Sequence, residues 1–413
     1  MTTLADEKQA SMHPALLEEE KIQIIIQNWV RTLNVKLGWI HDFDKLVVDY
    51  VATILFFDVF HSSSKLLKTL HGHTDYARSV DYSTFDGSQL ICSGSDDKTV
   101  RLWDVDNNKQ IQSFNGHLDS VYCVKFSPYH NHNHCNVICS SSNDKTIRFW
   151  DIKNNKQLQI FNKHTGGVGG IEFSSFNNGR YLCSGSRDYT IRLWDVETSN
   201  LLHVFNGHTD GVWCVDISPL QNNKNNSKSN NIGVIGGNGY TICSGSSDTT
   251  IRIWDIETAK QSNEFKGHEN AIMSIKYGSN ELGNIGGANT ILSGSHDKSV
   301  RLWDIRSGQQ IQVFNGHLKE VNVVKYSPFV INNIEIGNIS NVICSASIDR
   351  TIRFWDIRSN KKELYVLEGD ERDGGIYCIE FLQLKKKGKQ INSNDNLVKL
   401  CYGSFRGTIY IWG

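Results

Sequence analysis

Short runs of alternating apolar and polar residues recur along most of this chain, and each is long enough only for a short strand. At residues 90–104 a polar turn, "DDK", separates the runs "LICSGS" and "TVRLWD". Two such runs, joined by a short polar turn and rich in β-branched and aromatic residues, are typical of a β-hairpin. The pattern therefore predicts an all-β structure assembled from hairpins.

The hairpin sequence is repeated, and its period predicts the architecture. The first copy, "SGSDDKTVRLWD", ends at Asp104, and a degenerate seventh copy, "YGSFRGTIYIWG", ends at Gly413. A tryptophan marks each copy, and successive tryptophans lie 44 to 60 residues apart. Another alternating run follows each Trp-Asp, and one more follows the Gly-His, or its remnant, that precedes each copy. Four short strands in each of seven repeats predict a β-propeller.

Gly-His, Asp and Trp-Asp recur at fixed places in these repeats, and in this the chain resembles the WD-repeat family. The resemblance implies an all-β, seven-bladed WD-repeat β-propeller over residues 65–413. The residues before it, 1–64, are predicted from their own pattern to be a helical extension. The resemblance also implies that four side chains in each blade hydrogen-bond in series. In the first blade these are Trp103, Ser93, His73 and Asp97. Ser, His and Asp also occur together in active sites, but six copies of one arrangement favour a structural role.

The seventh copy departs from this pattern. Tyr402 stands in the place of the serine, Arg406 in that of the turn aspartate, and Asp370 follows Gly369 where histidine is expected. The usual polar chain cannot form there, so another interaction must secure the last blade. Because the chain ends at the third strand of this copy, we expect residues near 65–70 to supply its outer strand and close the ring.

Six of the ten cysteines recur once per repeat, each eleven residues before a tryptophan. Equivalent positions of different blades point into separate cores and cannot meet. We therefore expect buried free thiols in a reducing compartment rather than disulfides. The six are Cys92, Cys139, Cys183, Cys243, Cys344 and Cys401.

The first 64 residues lie outside the predicted ring. Residues 15–33 and 41–60 carry apolar side chains at helical spacing, with "GW" between them, and predict two helices. We expect the pair to pack on itself or against the propeller. Dimerisation or partner docking is the alternative, since two helices leave much apolar surface to cover.

Charge and hydropathy exclude several classes of function. The chain has 43 basic and 44 acidic side chains, a balance that argues against general binding to nucleic acid or anionic membranes. Its longest apolar run is interrupted by Asp49 and Asp58 and is too short to cross a bilayer. No secretory signal is visible. We expect a soluble protein of the cytoplasm, with the nucleus as an alternative if "KKKGK" at residues 385–389 is a nuclear signal rather than a solvated loop.

Asn- and Gly-rich insertions fall between the first and second strands of several blades, at residues 221–240, 278–289, 329–341 and 383–398. A further insertion, at residues 129–136, contains His130, His132, His134 and Cys135, which suit zinc by ligand type. It lacks a second ligand pair at ordinary spacing, so a polar loop is the preferred interpretation. No metal and no cofactor is predicted.

No motif outside the structural residues indicates a nucleophile, a general base or a cofactor. The sequence therefore predicts a non-catalytic interaction scaffold whose partners are other proteins or peptides. The resemblance implies binding on the face of the Gly-His loops, around the central channel. Side chains five positions after each His are expected at its mouth, together with the last-blade equivalent: Arg78, Tyr122, Gly169, Trp213, Met273, Asn322 and Tyr377. The residues before each turn aspartate should join them: Asp96, Asn143, Arg187, Ser247, His296 and Ile348.

Two other functions stay open. The sequence "WDIR" ends at Arg306 and again at Arg358, and it resembles the box through which substrate receptors of cullin–RING ubiquitin ligases dock their adaptor. An enzyme supported by the ring would place acids, bases or metal ligands in the channel, and the sequence shows no convergent set of carboxylates. The partner and the oligomeric state are not indicated.

Overall fold

A computed structural model describes residues 65–85, 87–132, 135–218, 240–278, 290–328, 342–357, 363–383 and 398–413. These residues form seven antiparallel sheets of four strands each. Six sheets take four consecutive strands, so each repeat folds as one blade. The seventh combines the last three strands with the first strand of the chain.

The strands are numbered in chain order. Blade 1 comprises β2 (Ala77–Phe85), β3 (Ser88–Ser95), β4 (Thr99–Asp104) and β5 (Lys109–Asn115). Blade 2 comprises β6 (Val121–Phe126), β7 (Val137–Ser142), β8 (Ile147–Asp151) and β9 (Lys156–Phe161). Blade 3 comprises β10 (Val168–Phe173), β11 (Tyr181–Ser186), β12 (Ile191–Asp195) and β13 (Asn200–Phe205). Blade 4 comprises β14 (Val212–Ile217), β15 (Thr241–Ser246), β16 (Ile251–Asp255) and β17 (Gln261–Phe265).

Blade 5 comprises β18 (Ile272–Tyr277), β19 (Thr290–Ser295), β20 (Ser299–Asp304) and β21 (Gln309–Asn315). Blade 6 comprises β22 (Val321–Tyr326), β23 (Val342–Ser347), β24 (Thr351–Asp356) and β25 (Glu363–Glu368). Blade 7 comprises β26 (Ile376–Gln383), β27 (Val398–Ser404), β28 (Ile409–Trp412) and β1 (Leu66–Leu70). Two short helices, α1 (Pro128–His132) and a 3-10 turn (Asn177–Gly179), occupy first-to-second-strand connections.

The first strand of each blade contacts the first strand of the next, and β26 contacts β2, so the ring is closed around a central channel. The predicted closure by residues near 65–70 is confirmed, because β1 pairs antiparallel with β28. Leu70 faces Ile409 in this pairing and is only 2% exposed. The outer edge of the C-terminal strands is therefore covered by backbone from the other end of the propeller.

Apolar side chains of neighbouring blades pack face to face, and these contacts form the core. Between blades 1 and 2, for example, Phe114 and Val124 lie in one buried cluster with Trp150. The six repeated cysteines are buried and free, as predicted. Burial raises the pKa of each of these thiols, which keeps them protonated and unreactive.

Several sequence predictions lie wholly or largely outside the described residues. These are the helical extension over 1–64, most of the four Asn-rich insertions, His134 and Arg358. The described strands place the four insertions between the first and second strands of their blades, as expected. No helix within the described ranges has the length and apolar character needed to cross a membrane.

Candidate functional site

A buried chain of hydrogen bonds joins four side chains in each of the first six blades. In blade 3 the Trp194 indole donates to Ser184 Oγ at 2.9 Å, and Ser184 Oγ lies 2.8 Å from His164 Nε2. His164 Nδ1 lies 2.8 Å from Asp188 Oδ2. The predicted series in blade 1 is confirmed in the same way, through Trp103, Ser93, His73 and Asp97. Each series ties a Gly-His loop to the turn between the second and third strands, so both lie on one face, here called the His face.

These tetrads are structural. Ser184 has no exposed surface, and its hydroxyl is shared between the tryptophan and the histidine. Burial lowers the pKa of His164 and keeps the ring neutral, although Asp188 opposes the shift. Burial acts against ionisation of Asp188, but hydrogen bonds from His164 and Thr190 hold the pKa of its carboxyl well below the usual range. The carboxylate is thus committed to its internal donors, and no substrate reaches the serine.

The last blade replaces the tetrad with aromatic packing. Tyr402 is buried at the serine position and stacks on Tyr410, with ring centroids 4.9 Å apart. Its hydroxyl lies beside Gly369, the residue that corresponds to the glycine of the Gly-His pair in the other blades. Burial raises the pKa of Tyr402, so the hydroxyl stays protonated. Together with the pairing to β1, this packing secures the blade that lacks Ser, His and turn Asp.

A one-residue β-bulge interrupts the first strand of every blade at the His face. In blade 4, Val212 pairs with Ser246 and Cys214 with Gly245, which leaves Trp213 as the extra residue. A bulge redirects the side chain that it inserts. The bulged positions are those predicted to surround the mouth, here called the bulge ring: Arg78, Tyr122, Gly169, Trp213, Met273, Asn322 and Tyr377. Their role in partner binding stays a prediction.

On one side of the bulge ring, an arginine is enclosed by its neighbours. Both Arg78 Nε and Nη2 donate to the carboxylate of Asp96, at 3.0 and 2.6 Å. The guanidinium carbon lies 4.6 Å from the centroid of the Tyr377 ring and 4.9 Å from that of Tyr76. Tyr76 also packs on Phe405, with centroids 4.1 Å apart. The charge of Arg78 is therefore neutralised within the protein.

A second cluster spans blades 2 to 4. The Tyr122 and Trp213 rings meet edge to face, with centroids 5.9 Å apart, although blade 3 lies between them. The intervening position is Gly169, and a Cβ there would come within 2.9 Å of the Trp213 carbonyl oxygen. Glycine thus permits the close approach that joins the two rings. Arg187 lies over Trp213 at 5.4 Å, and Trp213 donates to Ser247 at 2.7 Å.

The remaining predicted mouth residues belong to neither cluster. Asn322 Nδ2 donates to the carbonyl of Ile376 and so ties blade 6 to blade 7. Met273, His296 and Ile348 are partly buried. Burial lowers the pKa of His296, although Glu320 acts in the opposite direction.

Three residues after each bulged residue, the first strand carries a charged side chain. Residues three apart on a regular strand face opposite sides, but the inserted residue reverses this relation, so both sets face the channel. The charged set, here called the charge ring, runs Asp81, Lys125, Glu172, Asp216, Lys276, Lys325 and Glu380. The sequence analysis found no convergent carboxylates in the channel and missed this set. The recurring charge eight residues after each Gly-His histidine could have revealed it.

The charge ring is paired within itself. Glu172 Oε2 lies 3.2 Å from Lys125 Nζ and 2.7 Å from Lys276 Nζ. Lys276 also lies 3.0 Å from Asp216, and Lys325 pairs with Glu380. Asp81 is the exception, because it accepts a hydrogen bond from the Phe126 amide at 2.7 Å and lies in no ion pair within 4.0 Å in the described part of the chain. Paired lysines neutralise the acids, so the ring favours a structural role over acid–base chemistry.

Comparison with protein families identifies the repeat. The model of the WD domain, or G-beta repeat, matches residues 64–104, 108–151, 155–195, 199–255, 259–304 and 308–356. The chain belongs to the WD-repeat family. These matches end before the degenerate seventh copy, the blade that lacks a tetrad. WD-repeat propellers generally bind other proteins and are typically non-catalytic.

Curated relatives of this WD-repeat protein match it over short stretches. WD repeat and SOCS box-containing protein 1 of Danio rerio is 42% identical over 67 residues, 16% of each chain. A probable E3 ubiquitin ligase complex SCF subunit, sconB, of Arthroderma benhamiae is 43% identical over 65 residues, 16% of this chain and 9% of the relative. The human peroxisomal targeting signal 2 receptor is 40% identical over 63 residues, 15% and 20%. The chain thus matches a fifth or less of each relative.

Two sites proposed from the sequence, the possible zinc ligands near His130 and the possible adaptor-docking residue Arg306, lie away from the His face of the propeller. Residues Pro128–His132 form the short helix α1 within the insertion that was expected to be a polar loop, and His130 Nδ1 lies 2.8 Å from Ser127 Oγ, so this ring nitrogen is already hydrogen-bonded. No group of three metal-ligating side chains occurs among residues that the structure describes. Arg306 is exposed in the turn after β20, where its amide donates to Asp304.

Two carboxylates of the charge ring are expected to affect stability in opposite directions. Burial, reinforced by Glu380, raises the pKa of Asp81 to about 6 despite the nearby Lys125. Its ionisation therefore costs stability as the pH rises from about 4 through 6. Asp81→Asn keeps an acceptor for Phe126 and should raise the free energy of unfolding by about 1–2 kcal/mol at pH 7.5, with no gain below pH ~4.

Glu172→Gln is the matched control for Asp81→Asn. Ion pairs with Lys125 and Lys276 overcome burial and lower the pKa of Glu172 to about 2, so its contribution is present at neutral pH and is lost in acid. The substitution leaves two partly buried lysines without their shared partner, although Lys276 keeps Asp216, and should cost about 2 kcal/mol at pH 7.5. Urea unfolding at pH 4 and 7.5 measures both effects. Equal destabilisation by the two substitutions at pH 7.5 would contradict this account of the ring.

Proposed function

We propose that this WD-repeat protein is a non-catalytic scaffold that binds partner proteins or peptides at the bulge ring on its His face. The observation that carries the proposal is the cluster of Trp213, Tyr122 and Arg187. Tryptophan, tyrosine and arginine dominate the energetics of protein interfaces. Here they are partly buried or exposed, and they stand on strand ends fixed by the ring. Little conformational entropy is left for them to lose when a partner binds.

The charge distribution supports the His face over the opposite end of the channel. The charge ring consists largely of side chains paired with one another, so a partner there would have to replace existing ion pairs. The Asn- and Gly-rich insertions on that side would lose conformational entropy on binding and bury little apolar surface. At the bulge ring, by contrast, the rings of Tyr122 and Trp213 and the adjoining Arg187 are available without breaking an ion pair.

Trp213→Ala should weaken partner binding by about 2 kcal/mol or more, the scale of an interface hot spot. Partners are identified by affinity purification and mass spectrometry of the full chain, and affinities are then measured with the purified partner. Deletion of residues 222–231 is the comparison and should leave affinity nearly unchanged. A neutral Trp213→Ala together with loss of binding on the loop deletion would place the functional surface on the other side of the ring.

A second candidate, substrate receptor of a cullin–RING ubiquitin ligase, rests on the two "WDIR" sequences and on the relatives. Two of the relatives are named for a SOCS box and for an SCF ubiquitin ligase complex. Arg306 and Arg358 would then contact the ligase adaptor, while the bulge ring would bind the substrate. Capture of a cullin adaptor that disappears in the variant with both Arg306→Ala and Arg358→Ala distinguishes this receptor from a general scaffold.

A further inference from the structure

Two arginines of the His face differ in how their charge is satisfied. Arg78 is held by the Asp96 carboxylate through two of its nitrogens and lies between two tyrosine rings. Arg187 is exposed, and within the described ranges no carboxylate lies within 4.0 Å of its guanidinium. The two side chains occupy comparable places around the same mouth, so this contrast shows which one is available to a partner.

The side chain of Arg187 is nevertheless held in place by its neighbours. Its guanidinium lies over the Trp213 ring at 5.4 Å, and its Nη1 donates to Asn143 Oδ1 at 3.4 Å. Asn143 is held in turn by a 2.7 Å hydrogen bond to Asp119. Within the described part of the chain, Nε and Nη2 of Arg187 donate to no protein acceptor. These two nitrogens form the edge that binds a carboxylate or phosphate through two parallel hydrogen bonds.

Apolar surface adjoins this arginine. Trp213 and Tyr122 present partly exposed rings in contact with one another. On the same face, Leu118 is 77% exposed in the loop before β6 and Tyr189 is 47% exposed in the turn before β12. A segment that pairs an acid with Arg187 would therefore meet the Trp213 ring next to it, with further exposed apolar side chains on the same face.

We propose that the partner of the bulge ring presents an acidic side chain to Arg187, flanked by an apolar side chain that packs on Trp213. The acid is a carboxylate or a phosphorylated hydroxyl, since both offer two oxygens to the open guanidinium edge. This inference rests on the proposed function and adds the chemistry of the segment that is recognised. A basic segment is disfavoured, because it would place its positive charge against Arg187, whose guanidinium has no carboxylate partner within 4.0 Å in the described residues.

The test is selection of a random 12-residue peptide library displayed on phage against the full-length protein. Wild type should enrich peptides that contain Asp or Glu next to Leu, Phe, Trp or Tyr. The best peptide, made synthetically, should bind Arg187→Ala at least about 10-fold more weakly, and Trp213→Ala should also lose it. Arg187→Glu should invert the preference and enrich lysine and arginine. Arg406→Ala, which removes another exposed arginine in a turn of the same face, is the control and should bind as wild type does.

The same peptide shows whether the group that Arg187 prefers is a carboxylate or a phosphate. Replacing its acidic residue by serine should abolish binding, and phosphoserine at that position should restore it. A phosphoserine peptide that binds more tightly than the original identifies phosphate as the preferred group, whereas a weaker one identifies carboxylate.

Two negative results of the peptide selection would lead to different conclusions. Peptides whose binding depends on Trp213 but shows no acidic preference and no change in Arg187→Ala would overturn this inference while leaving the proposed function standing. Selection that yields no Trp213-dependent peptide would overturn both. Because Arg187 is exposed, its variants are expected to keep the thermal midpoint of wild type, and that measurement shows whether a loss of binding reflects unfolding.

Discussion

Replacing Leu70 by aspartate is expected to lower the free energy of unfolding by about 4 kcal/mol or more. Leu70 is the last and most buried residue of β1 and lies in one buried cluster with Val80, Trp103 and Ile411. The substitution removes a packed side chain and buries a charge at the point where the two ends of the propeller meet. The blade at risk is the one without a tetrad, so fewer polar contacts remain to hold β28 in place.

Leu66→Asp is the matched control, because Leu66 lies in the same strand and is 43% exposed. It should change stability by no more than about 0.5 kcal/mol. Urea unfolding followed by tryptophan fluorescence measures both variants, and hydrogen exchange of the β28 amides shows whether the closing sheet has opened. If the two variants unfold at the same urea concentration, β1 does not close the ring in the way described.

Removing one tetrad carboxylate, as in Asp188→Ala, should cost about 3 kcal/mol. Asp188 accepts hydrogen bonds from His164, from Thr190 Oγ1 and from the amides of Thr165 and Thr190, at 2.6 to 3.1 Å. The substitution would deprive not only the histidine but three further donors of their acceptor, and this raises the expected loss of stability.

Arg406→Ala is the control, because Arg406 occupies the same place in the last blade and is exposed. It should be nearly neutral for stability. Asp188→Ala should still bind partners when assayed below its melting temperature, because the tetrad lies beneath the surface. Unchanged stability together with loss of a measured enzymatic activity would show that the tetrad is a catalytic site after all.

The seven blades and six tetrads could be predicted from the chain because each depends on residues that recur at a fixed spacing. A buried tryptophan N–H needs an acceptor and a buried histidine needs two partners, and the resemblance to the WD-repeat family implies which serine, histidine and aspartate of each repeat supply them. The strand that closes the ring was predicted for a similar reason. The last repeat is one strand short, and an unpaired edge is a liability.

The clusters at the mouth could not be predicted, because they join residues of different blades. Sequence spacing placed Tyr122 and Trp213 at the same mouth but did not show that their rings touch across blade 3. That contact depends on Gly169, whose missing side chain lets the neighbouring backbone approach. Likewise, the sequence places Arg78 and Arg187 at the same mouth, and only their neighbours in space make one neutralised and the other available.

Local pattern and repeated spacing were enough to predict the repeat, the strands, the free buried cysteines and the closing strand, and the family resemblance added the structural tetrads. The lining of the channel depends instead on how the strands pair and how the blades pack. A bulge in each first strand turns residues three apart toward the same side, which separates the aromatic and arginine side chains of the bulge ring from the paired acids and lysines of the charge ring. Regular strand alternation would place residues three apart on opposite sides of the sheet. The bulge that changes this is visible only in the pairing of the two strands, so the sequence does not reveal it.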